Sequence, residues 1–160
     1  MRSETDVNTT IHTYADMVQR ICLCHVKNYA DTEDLFQTVF LKYMLYEGAF
    51  ESEEHKKAWL IRVTGNACKD YLRTNFWKRN QTIETIACFA ASADESHQEV
   101  LEAVLNLPEK YKDVIYLHYY EGYSAVEIAK ILDKKENTIY SLLNRGRKIL
   151  KEKLGGGIDE

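Results

Sequence analysis

The chain has 160 residues, 45% of them hydrophobic and 29% charged, with one Pro and a formal net charge of −4. That composition excludes a disordered polymer and a collagen-like or disulfide-stapled one, and it suits one ordinary domain or two small ones. The longest apolar runs are only a few residues and the leading MRSETDVNTT has no apolar core, so membrane insertion and secretion are not expected and a cytoplasmic location is.

In chain order, residues 1–9 are polar and predict a frayed start. From about Thr10 to Tyr29, Ile11, Tyr14, Ala15, Val18, Ile21, Cys22 and His25 recur at helical spacing and predict a first amphipathic helix. Asp31 is the expected N-cap of a second helix, with Glu33 and Asp34 in its first turn where the helix dipole favours them. That helix runs to about Tyr46 and is apolar on more than one side (Leu35, Phe36, Val39, Phe40, Leu41, Tyr43, Met44, Leu45), so a second face must be covered by the core or by a partner.

After a loop at 47–52, Ser52 is placed to cap a third helix over 53–78, with Ala58, Ile61, Gly65, Cys68 and Leu72 as its buried stripe. Its other surfaces carry Lys56, Lys57, Arg62, Asn66, Lys69, Arg73 and Lys78 among the aromatics Trp59, Tyr71, Phe76 and Trp77. Cations interleaved with rings suit single-stranded nucleic acid, the cations holding phosphates and the rings stacking on bases. Core packing accounts equally well for Trp59 and Tyr71.

Residues 80–97 are dominated by small and polar side chains and read as a linker between two small helical domains. Helical periodicity resumes at Glu99–Asn106. Pro108 fits the first position of the next helix, on which Tyr111, Val114, Ile115 and His118 share a face and which Gly122 can end in a left-handed cap.

Ser124 to Leu154 then reads as a short helix, a tight turn and a longer basic helix. Ser124 and Glu127 have the spacing of a capping box. Ala125, Ile128, Ala129 and Leu132 form one apolar stripe, and Asp133-Lys134 makes the turn. Ile139, Leu142 or Leu143, Gly146, and Ile149 or Leu150 form the stripe of the second helix. Its opposite face carries Glu136, Asn137, Tyr140, Ser141, Asn144, Arg145, Arg147 and Lys148. This is the helix-turn-helix pattern of duplex DNA readers; the plainer account is a helical hairpin with a solvated outer face.

Charge distribution supports the first account. Residues 54–80 hold 7 basic and 2 acidic side chains, as do residues 134–153, against 4 basic and 9 acidic in residues 1–53. Two basic segments lie inside an acidic average. No phosphate-cradling Gly loop, HExxH or nucleophile motif is present, and carboxylate pairs such as Glu53-Glu54 sit at helix starts. No catalytic residue and no cofactor is expected, and the chain does not read as an enzyme. Cys22, Cys24, Cys68 and Cys88 make no disulfide framework. Cys22 and Cys24 point to different faces of a helix and lack a second ligand pair, so reduced thiols and no metal site are expected.

Three stretches together resemble the bacterial RNA polymerase sigma factors of the sigma-70 family, in the short extracytoplasmic-function group. DTEDLFQTVFLKYM (Asp31–Met44) is similar to the family's region 2.2 helix. AWLIRVTGNACKDYLR (Ala58–Arg73) is similar to regions 2.3–2.4. Leu107–Leu132 with Thr138–Leu150 resembles region 4. The resemblance covers about residues 10–79 and 98–154. It implies an all-α fold of two small domains, a region 2 three-helix bundle over 1–79 and a region 4 helix-turn-helix domain over 98–154, with a flexible linker at 80–97 and a disordered tail at 155–160.

It also implies partners. Asp31, Asp34, Leu35, Gln37, Phe40 and Leu41 would dock on the β′ clamp helices of core RNA polymerase. The third helix and the loop before it would open the −10 promoter element. There Trp59, Arg62 and Asn66 would lie near a flipped base, and Lys56, Lys69, Arg73, Lys78 and Arg79 at phosphates. The helix-turn-helix would read the −35 element, and the surface around Leu107–Tyr120 would meet the β flap. An anti-sigma factor is a further partner that the resemblance implies.

The chain departs from the family at Asn137, where a Gly is usual, at Tyr140, where Lys or Arg is usual, and at Leu142, where Arg is usual. Each missing cation removes a phosphate contact. The alternatives are a sigma-like helix-turn-helix regulator without stable polymerase binding, a cysteine-based metal or redox sensor, and a structural adaptor. The polymerase-facing motif speaks against the first and the two basic segments against the last.

Overall fold

A computed structural model describes residues 1–26, 28–74 and 98–153, the side chains of 98–101 excepted. The expectations placed on Phe76, Trp77, Lys78, Arg79, Cys88, the linker and the tail lie outside the described residues. Every described element is a helix. The chain divides into two compact units, Met1–Gln81 and Thr82–Glu160.

The first unit is a bundle of three helices, α1 (Glu4–Val26), α2 (Tyr29–Leu45) and α3 (Glu53–Thr74), each packed on the other two. Val18, Ile21 and Cys22 of α1 meet Val39 and Tyr43 of α2 and Leu60, Ile61 and Cys68 of α3 in a core where each is at most 3% exposed. Burying side chains of this size stabilises by about 1.5–3 kcal/mol each. Cys22, Cys24 and Cys68 are buried within it.

Two helix starts differ from expectation. α1 begins at Glu4, because Ser3 Oγ accepts the Asp6 N–H at 3.1 Å and starts the helix inside the stretch expected to fray. α2 begins at Tyr29, because Asn28 and not Asp31 is its N-cap: the Asn28 side chain accepts the Asp31 N–H at 3.1 Å. Ser52 does cap α3, accepting the His55 N–H at 3.1 Å.

The second unit holds α4 (Gln98–Leu105), α5 (Glu109–Ile115), which runs on as one π-helical turn (Tyr116–Tyr120), α6 (Ala125–Leu132) and α7 (Glu136–Lys153). α7 packs on α4, α5 and α6. Pro108 is the N-cap of α5, one place before its expected position, with an extended ψ of 144°. Gly122 adopts φ 79° after the π-turn, as a left-handed terminator does. Lys112 is 0% exposed and its Nζ lies 3.2 Å from Glu109, an inward lysine that periodicity alone did not mark.

The helix-turn-helix is fixed by its ends. Ser124 and Glu127 make the reciprocal capping box. Asp133 takes the left-handed conformation (φ 54°, ψ 53°), and Lys134 N–H donates back to Ala129 O at 2.9 Å, the Schellman pattern. On α6 the buried residues are Ala125, Ile128, Ala129 and Ile131, with Leu132 only half-buried. On α7 the stripe is Ile139, Leu143, Gly146 and Leu150. Gly146 is needed for close approach: a Cβ there would lie 2.9 Å from Ile115 Cδ1.

Gly146→Val is therefore expected to lower the stability of the second unit by about 1–3 kcal/mol, the usual range for overpacking. Thermal or denaturant unfolding measures it, and an unchanged midpoint would mean that α5 and α7 do not approach so closely.

Candidate nucleic-acid interface

The polar face of α3 is a single row. Arg62, Asn66, Lys69 and Arg73 recur at steps of three and four, all exposed, opposite the buried Ile61, Thr64, Cys68 and Leu72. At about 1.5 Å per residue the row is about 16 Å long, enough to follow several phosphates of a strand. Arg73 is paired with Asp70 at 2.7 Å, so part of its charge is used within the helix. Lys56 is not part of this row. Its side chain is 16% exposed and lies 3.4 Å from Glu53 and 3.8 Å from Asp6, so it ties α3 to α1 and stands apart from the exposed row with which it was grouped.

Trp59 lies at the near end of the row and belongs to an aromatic cluster. Its ring centroid is 4.8 Å from Tyr46, 5.7 Å from Phe50 and 6.1 Å from Tyr43. Tyr43 is fully buried, whereas Tyr46 is 39% exposed and Phe50 and Trp59 are half-buried. Core packing and partly exposed rings thus coexist, with Tyr43 buried and the other three rings reaching solvent. Tyr46 and Phe50 were not among the residues expected here; the signal was their place on both sides of Gly48. The Tyr46 ring folds over that glycine so closely that a Cβ on it would collide with the ring. Tyr71, the other aromatic in question, is structural. Its hydroxyl donates to the Asp31 carboxylate, linking the end of α3 to the start of α2, and burial followed by that bond raises its pKa.

A polar network holds the cluster from below. The Tyr43 hydroxyl donates to Asp6 Oδ1 at 2.8 Å and accepts from Thr10 Oγ1 at 3.1 Å. Arg2 lies over the Tyr43 ring, 4.6 Å from its centroid. The Tyr43 bond, opposed by burial and helped by Arg2 and Lys56, holds the Asp6 carboxyl below its ordinary range. Glu53 is lowered likewise, first by the Tyr14 hydroxyl, which donates to it at 2.7 Å.

In the second unit, Glu136, Asn137, Tyr140, Ser141, Asn144, Arg145 and Lys148 of α7 are all exposed, Tyr140 by 48%. Asn137, Tyr140, Ser141, Asn144 and Lys148 lie in one stripe opposite Ile139, Leu143, Gly146 and Leu150. Arg147 differs from expectation: it is half-buried on the flank because its position turns toward the packed side. Leu142 is also half-buried at the flank, so the family's usual cation is replaced by a side chain that packs.

α2 resolves the ambiguity of its doubly apolar sequence. Asp34, Gln37, Leu41 and Leu45 form one exposed row, with Leu41 at 51% and Leu45 at 57%. Leu35 and Phe40, expected in the same docking surface, are 7% and 5% exposed and face inward, so they carry the row and are not part of it. Asp31 is half-buried and held by Tyr71. On the second unit, Tyr119 and Tyr120 of the π-turn are also exposed, at 36% and 38%.

Comparison with known proteins agrees in both units. The family model for sigma-70 region 2 matches residues 10–78 and that for sigma-70 region 4 matches residues 97–150. RNA polymerase sigma factor SigV of Bacillus subtilis is 28% identical over 149 residues, covering 91% of this chain and 89% of that one. The ECF RNA polymerase sigma factor SigM of the same organism is 28% identical over 156 residues, covering 92% and 94%. Among solved structures, CnrH in complex with the cytosolic domain of CnrY has a TM-score of 0.72 at 17% identity, over 98% of this chain and 92% of that one, which shows a shared fold.

The depressed carboxylates predict acid sensitivity in the first unit. Their stabilisation is complete above the unfolded values, near pH 4 to 5, and is lost as pH falls through the lower folded values. The melting temperature is expected to drop between about pH 5 and pH 3. Asp6→Asn should lower it at pH 7 and flatten that slope; a slope as steep as before would remove Asp6 from the account.

Proposed function

The chain belongs to the sigma-70 family, in its extracytoplasmic-function group, and from that membership we propose that it binds core RNA polymerase and directs promoter recognition and melting. The reading is carried by one observation: two units each present a polar row opposite a buried stripe, and the two rows suit different forms of DNA. On α7 the row is a helix-turn-helix face of hydrogen-bonding side chains with a cation at Lys148 and the exposed Arg145 beside it, suited to a major groove. On α3 the row of cations adjoins half-exposed rings, suited to an unpaired strand.

The roles divide accordingly. The α7 face engages the −35 duplex, where Asn137 and Tyr140 make hydrogen bonds in place of the family's usual backbone and charge contacts. Arg62, Asn66, Lys69 and Arg73 hold the −10 strand, and Tyr46, Phe50 and Trp59 receive its bases. The α2 row of Asp34, Gln37, Leu41 and Leu45 docks on the β′ clamp helices, where exposed leucines among polar neighbours would be covered. Tyr119 and Tyr120 lie within the surface offered to the β flap. Boundaries of 1–79 and 98–154 for the two working domains fit this division. Catalysis belongs to the polymerase, and the work is cytoplasmic; no helix among the described residues is long and apolar enough to cross a membrane. The solved relative is bound to a cytosolic domain of CnrY, which supports a protein of that kind as a further partner here.

A DNA-binding regulator without polymerase is the second reading, and the exposed Leu41 and Leu45 count against it because such a protein has no use for that row. Run-off transcription with core polymerase on a promoter library tests the first: promoter-specific transcripts are expected, and their absence with intact duplex binding would favour the second. Leu41→Arg with Leu45→Arg is expected to reduce capture of core polymerase at least about tenfold, as loss of a buried apolar anchor does. An unchanged pull-down would remove α2 as the docking row. Arg145→Gln with Lys148→Gln should leave capture intact and reduce the salt slope of holoenzyme binding to −35 duplex by about two. If capture fell equally, the division between the units would be wrong.

A further inference from the structure

The connection from α2 to α3 spans residues 46–52 and contains no helix or strand. Its shape is nevertheless constrained, in part by one residue far away in sequence. Arg2 Nη2 donates to Gly48 O at 2.6 Å, and its Nε donates to Tyr43 O at 3.2 Å. The Arg2 backbone N–H donates to Met44 O at 3.0 Å. Tyr43 and Met44 stand in the last turn of α2, where carbonyls lose their regular helical partners; the Tyr46 N–H reaches Tyr43 O at 3.2 Å, and Arg2 adds a second donor to it. A cation there is also favoured by the helix dipole. Arg2 thus caps α2 from the residues just before α1 and grips the following connection with the same guanidinium.

The same group is the floor of the aromatic cluster. Its carbon lies 4.6 Å from the Tyr43 centroid, 4.9 Å from Phe50 and 6.0 Å from Tyr46. Asp6, 3.3 Å from Nη1, fixes the guanidinium on its remaining side. A planar donor with several directed N–H groups can satisfy two carbonyls and a carboxylate at once while lying on rings, which an ammonium cannot. Released from Arg2, the connection would regain backbone freedom, and the cost of ordering it would fall on the bound strand.

We propose that Arg2 is a positioning residue for capture of an unpaired base: it closes the 46–52 connection so that Tyr46, Phe50 and Trp59 form a stacking surface before DNA arrives. This rests on the reading of α3 and that connection as the −10 surface. Arg2 acts through the rings and touches no base.

The test uses holoenzyme assembled with core polymerase and forked DNA carrying an unpaired −10 non-template strand, from a promoter selected by run-off transcription. An abasic site is stepped through that strand. The unaltered chain is expected to lose about tenfold in affinity at one position, the order of one stacked base. In Arg2→Ala the intact fork binds more weakly and the abasic penalty falls to within about twofold. A variant that was merely less folded would weaken both forks alike and keep the tenfold ratio, and that outcome overturns the proposal. Arg2→Lys keeps the charge and folds under milder perturbation, but cannot bond Tyr43 O and Gly48 O together; its penalty is expected to stay below about threefold. A full penalty in Arg2→Lys would show that charge suffices and would equally overturn positioning. If no abasic position costs affinity in the unaltered chain, the −10 reading itself fails and takes the proposal with it.

Discussion

Inside the first unit, the hydroxyl of Tyr43 has no access to water, since the residue is 0% exposed. Left without a partner, such a group costs about 1–3 kcal/mol by mutational data. Asp6 and Thr10 supply the partners, and they stand one turn apart on α1. The first turn of α1 must therefore be helical and must face α2. Lys56 of α3 joins at Asp6, so the same few atoms set the register of all three helices at one end of the bundle. The ring below the hydroxyl is then available as a base for Arg2 and for the three outer rings. Polar groups that look peripheral in sequence thus support the aromatic surface.

α3 and α7 answer the same geometric problem in two chemical idioms. Each must bury one stripe and leave the other for a partner. α7 keeps its outer stripe mostly hydrogen-bonding, with Asn137, Ser141 and Asn144 beside Tyr140 and Lys148. α3 carries longer cations and ends beside rings. That difference in side-chain chemistry, more than net charge, distinguishes the two faces, and the overall −4 reports neither.

What was legible in the residues was mainly short-range. The capping box at Ser124, the left-handed turn at Asp133 and the outer stripes of α3 and α7 depend on spacings of one to four residues, and all are in the structure. Where two stripes were equally apolar, periodicity could not choose: only packing shows that Leu35 and Phe40 face in while Leu41 and Leu45 face out. Lys56 read as an outer-face cation because Asp6, one of the two carboxylates beside it, lies far earlier in the chain on another helix. Arg2 was illegible for the same reason, its carbonyl partners lying some forty residues on. His118 was grouped with Tyr111, Val114 and Ile115 on a regular helical wheel. The π-turn shifts the phase after Ile115, so Tyr116 and Leu117 are buried while His118 is half-buried and bonded to Tyr123 O.

The left-handed turn at Asp133 has a consequence for how such a protein could change its target. The turn through which α7 leaves α6 is set at Asp133, and the start of α6 at Ser124 and Glu127, none of which lies on the outer stripe of α7. Direction and address are therefore written in separate residues. If that face reads DNA as proposed, retargeting, by drift or by design, could rewrite the Asn137–Lys148 face while the turn keeps α7 in the same direction. Residue 133 itself would tolerate little more than Gly, Asn or Asp, since larger or β-branched side chains resist that backbone conformation. One conservative corner would then allow a permissive face.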